Sequence, residues 1–349
     1  MSSSSSSKDE DNILSKIGWC LSLAYCYCST QVKFAWLGLA GIVEDRWHAR
    51  TNATEMPKLT GRVAIVTGGS RGLGKEIVKM LLQCDLHVVV ACRNIAAGEA
   101  AVEDIRGSGG VESGIATVMC LDNSSLAAVR KFVEDYRSKF SSRLDILINN
   151  AGVMCTPYNE TVDGYEEQYG VNYLSHFLLT LLLMPALARA GSTDLGHSRV
   201  INVSSCAHLV GDVRFSDTNR KDLFVTAEAY AQSKLAQVLF TKRLARELAA
   251  KRLPVQVCAV HPGVVSTDIF RTTYVKYLRA IVDVLFKNLE EGAVPVVYAA
   301  VSPLMEKKSG VYVSNCRESR VKAICNDELV QDRLFDLSLR QVGLERLPF

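Results

Sequence analysis

Six short apolar runs between Arg62 and Pro262 alternate with longer segments of helical periodicity, and this alternation restricts the fold more than any other feature. "RVAIVT" precedes "KEIVKMLLQ", "HVVVACR" precedes "AAGEAAVEDIRG", "IATVMCL" precedes "SLAAVRKFVEDYRSKF", and "LDILINN" precedes "YEEQYGVNYLSHFLLTLLLMPALARA". "RVINVSS" then leads through a polar insertion into "AEAYAQSKLAQVLFTKRLARELAAK", and "PVQVCAVHP" follows. Continuous β-branched runs suit strands covered on both faces. Strands alternating with helices form a doubly wound, Rossmann-type parallel sheet, so the fold class is α/β. With no internal repeat or linker, residues 58–349 are expected to be a single domain.

The chain before that domain is different. Residues 1–12 are polar and low in complexity, and are expected to be disordered. Residues 13–43 form a hydrophobic segment and a membrane-anchor candidate, and residues 44–57 are expected to be a linker. No charge occurs from Ile17 to Val32, Lys33 interrupts, and Phe34 to Val43 continues apolar. A lysine at the centre of a membrane span costs about 2.5–3.5 kcal/mol, but near an end it can snorkel. A span from Ile17 to Lys33 flanked by Trp19 and Trp36 is one arrangement; an interfacial helix or a hairpin at Lys33 are others. "FLLTLLLMPALA" covers only about a dozen residues where a span needs roughly 20, so a buried helix end is expected there.

Charge and cysteines narrow the partners. A formal charge of +3 is too small to suggest a polyanion, so nucleic acid is not expected. The eleven cysteines are scattered, several inside strand-like runs, which reads as a reduced protein facing the cytosol. No cysteine or histidine spacing argues for a metal.

Directly after the first run comes "TGGSRGLGKE", Thr67 to Glu76. A strand entering a helix through Gly68, Gly72 and Gly74 lets the backbone approach a pyrophosphate at the helix N-terminus. About twenty residues on, where an NAD site would place an acid on the ribose, the chain has Arg93. Arg93, with Arg71 in the turn, would pair with a 2′-phosphate and so favours NADP(H) over NAD(H), although Arg93 could simply be solvated. Tyr230 and Lys234 are four apart and share one helix face, the spacing a lysine needs to act on a phenol.

The turn spacing Gly-x-x-x-Gly-x-Gly resembles that of the short-chain dehydrogenase/reductase superfamily. "NNAG" at Asn149–Gly152, Asn172 in "YGVNYLSH", "NVSS" at Asn202–Ser205, "YAQSK" at Tyr230–Lys234 and "HPGVVSTD" at His261–Asp268 follow in its order. "INNAGVM", "YAQSKLAQVLFT" and "EEGAVPVVYAAV" look like the retinol-dehydrogenase-like branch, closest to a subgroup associated with polyprenoid alcohols and aldehydes.

The resemblance implies Tyr230 as general acid/base, Lys234 beside it and on the nicotinamide ribose, Ser205 on the substrate oxygen, and Asn172 positioning a water next to Lys234. It implies a cofactor site of Gly68, Ser70, Arg71, Gly72, Leu73, Gly74, Arg93, Asp122, Asn150, Gly152, Tyr230, Lys234, Pro262, Gly263 and Thr267. Asp122 could instead, or also, cap a helix starting at Ser124.

In "IFRTTYVKYLRAIVDVLFKN", Tyr274, Tyr277, Ile281 and Leu285 recur at helical spacing among Arg271, Lys276, Arg279 and Lys287. The segment is either a helix packed on the body or a substrate lid that also touches a membrane surface. The expected function is NADP(H)-dependent interconversion of a lipophilic, polyprenoid- or retinoid-like alcohol and its aldehyde or ketone. A ketosteroid or retinol dehydrogenase and a non-catalytic NADP(H)-binding scaffold are the alternatives. The expected setting is an endoplasmic reticulum or lipid droplet membrane, reached through the N-terminal segment, with a homodimer left open.

Overall fold

The computed structural model describes residues 28–48, 52–111, 113–140, 143–191, 196–266 and 285–349. The expectations for residues 1–12, Trp19, Thr267 and most of the lid segment (Arg271, Tyr274, Lys276, Tyr277, Arg279 and Ile281) lie outside these.

The six apolar runs are strands: β1 Val63–Thr67, β2 His87–Cys92, β3 Ile115–Cys120, β4 Ile146–Asn149, β5 Ser198–Val203 and β6 Val255–His261. Their sheet runs in the order β3-β2-β1-β4-β5-β6 with every pair parallel, and β7 (Val311–Ser314) and β8 (Arg317–Glu318) extend it. β8 is antiparallel, joined to β7 through Asn315 (φ 50°) and Cys316 (φ 57°), the two left-handed residues that a tight two-residue hairpin requires. Successive strand residues point to opposite faces, so each run feeds two cores. Ile65, Val89, Leu147, Val200 and Val257 enter one core; Val66, Val88, Val90, Ile148 and Ile201 enter the other.

Helices cover both faces. α2 (Gly72–Gln83), α3 (Ile95–Gly107) and α7 (Leu289–Val301) lie over the second core, and α4 (Leu126–Lys139), α5 (Glu167–Gly191), α6 (Thr226–Ala250) and α8 (Glu328–Gln341) over the first. α5 corrects the length argument for "FLLTLLLMPALA". The helix is 25 residues long, long and apolar enough to cross a bilayer, yet 83% of its apolar window is buried in the protein. Burial, not shortness, makes it a core helix.

A helix, α1, runs over residues 28–48. It continues through Glu44 to His48, so the expected boundary between an apolar segment and a linker at residue 44 falls inside a helix. One side of α1 rests on the α/β body: Thr30 Oγ1 donates to Glu228 at 2.8 Å and Phe34 packs against the small buried cluster of Ala207, Tyr230 and Ala231.

Candidate active site

β1 pairs with β2 on one side and β4 on the other, so the chain's direction of travel across the sheet reverses there and opens a crevice at the strands' carboxyl ends. The glycine turn lies in that crevice. Gly68 (φ 68°) and Gly72 (φ 53°) take left-handed conformations, and a Cβ on Gly74 would collide with the Gly68 carbonyl oxygen. α2 starts at Gly72 with no side-chain cap and no acidic residue in its first turn, and a Cβ on Gly72 would meet nothing within 4 Å. Uncapped N–H groups at the positive end of a helix, reached through open space, fit a pyrophosphate.

The turn is braced from behind. Thr67 Oγ1 accepts from Asn150 N and Ala151 N, both at 2.9 Å, and Asn150 Nδ2 donates to the Thr67 carbonyl at 2.8 Å. The Asn172 carbonyl can only accept, so His176 carries its proton on Nδ1 (3.0 Å) and its Nε2 accepts from the Thr67 hydroxyl (3.0 Å), which also lies 3.4 Å from the Ile148 carbonyl. Burial holds His176 neutral, its pKa pulled down to about 4.

Ser70 lies within hydrogen-bonding reach of the Cys92 thiol, Leu73 approaches α7 at Gly292, and Arg71 and Arg93 are exposed after β1 and β2 respectively. Asp122 Oδ1 accepts from Ser124 N (2.9 Å) and Ser124 Oγ (2.8 Å). The helix does not start at Ser124: α4 begins at Leu126 and its cap is Ser125, which accepts from Ala128 N.

Tyr230, Lys234 and Asn172 come together where α6 crosses α5. α5 widens into a π turn at Gly170–Leu174 with Asn172 at its centre, the kind of local irregularity often found at functional sites. The Asn172 side chain accepts from Val153 N (2.8 Å) and donates to the Val153 carbonyl (2.9 Å) and Ser233 Oγ (3.0 Å), tying the "NNAGV" loop to α6. Gly152 sits against it, a Cβ there falling 3.2 Å from Asn172 Oδ1.

Lys234 Nζ donates to the Val203 carbonyl (2.8 Å) and to Gln237 Oε1 (3.1 Å), while Gln237 Nε2 donates to the Asn172 carbonyl (2.9 Å). A side-chain amide thus bridges the lysine and the Asn172 main chain, where the resemblance led us to expect a water. Gln237 was not singled out from sequence; its only signal is its place one turn beyond Lys234 on the same helix face.

The two serines separate cleanly. Ser204 Oγ is buried and donates to the Lys234 carbonyl at 2.9 Å, a structural bond. Ser205 Oγ accepts from Ala207 N (3.2 Å) and stands near enough to the Tyr230 phenol to act on its pKa. Burial pushes the Tyr230 phenol above its ordinary pKa, with the neighbouring Ser205 working the other way. Burial also pulls Lys234 down to about 7. Its ammonium stands 5.6 Å from the Tyr230 ring centre, yet burial governs the phenol, and Lys234 is not among the groups that act on its pKa, against the lowering expected from the spacing.

Pro262 and Gly263 form the turn after β6, alongside Ser204, whose N–H donates to the Val260 carbonyl (2.8 Å). Lys287 departs from its expected place among the surface cations of a lid. It is 3% exposed and pairs with the equally buried Asp45 of α1 at 3.0 Å. A long-range ion pair between two such distant positions leaves no trace in local periodicity.

An uncapped glycine turn at the switch point of a parallel sheet, with a buried Tyr-x-x-x-Lys pair and a serine beside it, defines a nicotinamide-dependent oxidoreductase of the short-chain type. The model of the short chain dehydrogenase family matches residues 62–277, and the chain belongs to that family: it is an oxidoreductase acting on CH–OH groups. It is 41% identical to Mus musculus polyprenol dehydrogenase over 294 residues, covering 82% of this chain and 86% of that one. It is 37% identical to Mus musculus retinol dehydrogenase 12 over 289 residues, covering 82% of this chain and 88% of that one. Among solved structures, the NADP active-site complex of Pseudomonas aeruginosa RhlG is similar with a TM-score of 0.59 and 26% identity, covering 75% of this chain and 97% of that one.

Proposed function

We propose that the protein interconverts a long lipophilic alcohol and its aldehyde or ketone, using NADP(H), with Tyr230 as the proton donor and acceptor. The observation that carries this reading is the buried Tyr230 phenol, beside Ser205 and one helical turn from the buried Lys234. A phenol kept protonated by burial is a proton donor, which suits carbonyl reduction. Ser205 hydrogen-bonds the substrate oxygen and aligns it with the Tyr230 hydroxyl. Lys234, fixed by Val203 and Gln237, offers its third hydrogen to the nicotinamide ribose and stabilises the phenolate that forms when Tyr230 gives up its proton. When bound, the nicotinamide supplies the hydride.

Thr67, Asn150 and the uncapped start of α2 shape the pyrophosphate site, and Asp122 meets the adenine end. Arg93 and Arg71, both exposed beside the turn, favour the 2′-phosphate of NADP(H). The polyprenol and retinol names of the relatives support an extended apolar substrate. Purified, detergent-solubilised protein given NADPH with a short polyprenal, retinal or a 17-ketosteroid is expected to oxidise NADPH fastest with the polyprenal. Tight NADPH binding with no turnover of any of the three would instead favour the scaffold reading.

Membrane association is part of the same reading. Val32, Trp36, Leu39, Val43 and Trp47 recur every three or four residues along α1 and are exposed, opposite the side that meets the body. An exposed apolar stripe bearing tryptophans suits the membrane interface, with α1 lying in its plane. Replacing Trp36 and Trp47 by serine is expected to shift the protein from the pellet to the supernatant in vesicle sedimentation. Unchanged pelleting would leave residues 13–27 as the sole anchor.

A further inference from the structure

Asp45 lies on the last turn of α1, and its carboxylate is buried against the turn that follows β6. One oxygen accepts the Val264 N–H at 2.7 Å, and the other meets Lys287 Nζ at 3.0 Å. Lys287 Nζ donates in addition to Asn315 Oδ1 (2.7 Å), on the β7–β8 hairpin, and to the Pro262 carbonyl (3.4 Å). Main-chain bonds Lys287 N to Val264 O and Ser266 N to Lys287 O, both 2.9 Å, hold the same turn from its other side. Gly263 has φ 100°, and a Cβ there would lie 2.7 Å from Lys287 Nζ and 2.8 Å from Asp45 Oδ2. The absence of a side chain is what lets the ion pair sit directly on the turn.

A buried ion pair is an inefficient way to glue a helix to a domain, since desolving both charges offsets much of their attraction and apolar contacts serve as well. Its distinctive product is geometry, and that geometry falls on the crevice. The turn follows Val260, which bonds Ser204 N, and Val265 and Leu73 of the glycine turn both contact Gly292. α1 crosses the same region: Gly41 faces Val264 and Cys206, Phe34 packs against the cluster that holds Tyr230, and Thr30 bonds Glu228, two residues before Tyr230.

We propose that Asp45 is a positioning residue: with Lys287 it clamps the Pro262–Val264 turn, so that α1 is a wall of the active site as well as a tether. This rests on the function proposed above. Small displacements of groups that orient reactants cost up to about a hundredfold in rate. Aligned substrate and cofactor should therefore suffer more than their binding does.

The test uses full-length protein in detergent, comparing Asp45→Asn, Asp45→Ala and Lys287→Met with Thr30→Val, which cuts another α1 contact but leaves the turn alone. The Asp45 variants are expected to lose kcat about 10- to 100-fold at saturating NADPH, with NADPH affinity changed far less and Thr30→Val within about twofold of wild type. Amide hydrogen exchange at Val264 should accelerate in Asp45→Ala and not in Thr30→Val. Unchanged exchange at Val264, kcat within twofold of wild type in the Asp45 variants, or an equal loss in Thr30→Val would each overturn the proposal. If the wild type turns over no carbonyl, the proposed function fails by itself, and the exchange of Val264 still decides the clamp.

Discussion

Tyr230 and Gln237 stand on either side of Lys234 along α6, and between them they set what the ammonium can do. Gln237 is 1% exposed, and its amide cannot rotate without leaving either Lys234 Nζ or the Asn172 carbonyl short of a bond. Hydrogen bonds to charged groups contribute about 1.5–3 kcal/mol. Gln237→Leu is therefore expected to lower kcat by roughly 10- to 100-fold, with a changed pH profile because the Lys234 ammonium loses a fixed acceptor. An unaltered pH profile of kcat in this variant would make Gln237 a packing residue. Tyr230 and Lys234 stood out by their four-residue spacing, and Ser205 and Asn172 only by the resemblance of the motifs that hold them. Gln237 and His176 did not stand out, because their part depends on a π turn in α5 that lays a carbonyl between them, and no residue pattern announces which carbonyl that will be.

At the scale of elements, β1, its glycine turn and α2 were readable together. Five near-continuous apolar residues fix the strand, and Gly68, Gly72 and Gly74 meet a backbone geometry that few other residues allow. The C-terminal third was less legible. β7 is only four residues and β8 two, too short for a periodic signal, and α8 follows a short helical turn at Ala323–Asn326. Residues 28–48 precede the first strand, and from sequence they divide between an anchor candidate and a linker outside the α/β body. The docked side of α1 is carried by Thr30, Phe34, Gly41 and Asp45, which make sense only against residues 160 or more positions away. Arg93 belongs to this scale because its place is set by the end of β2. Arg93→Asp is expected to weaken NADPH relative to NADH by roughly a hundredfold, as loss of a charge-assisted phosphate contact and a new repulsion would require. Equal affinity of wild type and variant for NADPH, measured by fluorescence titration, would remove Arg93 from the site.

For the molecule as a whole, three buried neutral histidines tie stability to pH. His176, His208 and His261 have pKa values pulled down to about 4 by burial, from an ordinary value of 6.5. Between those values the unfolded chain binds more protons than the folded one, so stability falls as pH drops from 6.5 towards 4. The urea midpoint should decline across that window, and the decline should be shallower in His208→Phe, which removes one of the three groups. All three lie around the crevice, in α5, after β5 and at the end of β6, so acid should open the site as it unfolds the domain. The proposed function comes down to one step, the transfer of a proton from the buried Tyr230 phenol to the oxygen of a lipophilic carbonyl. The most direct measurement is NADPH oxidation with a polyprenal by wild-type protein and by Tyr230→Phe, alongside NADPH binding to each. Turnover is expected in the wild type, with a loss of about 10²- to 10⁴-fold and undiminished NADPH binding in Tyr230→Phe. Turnover by Tyr230→Phe within a few-fold of the wild type would contradict the proposed step.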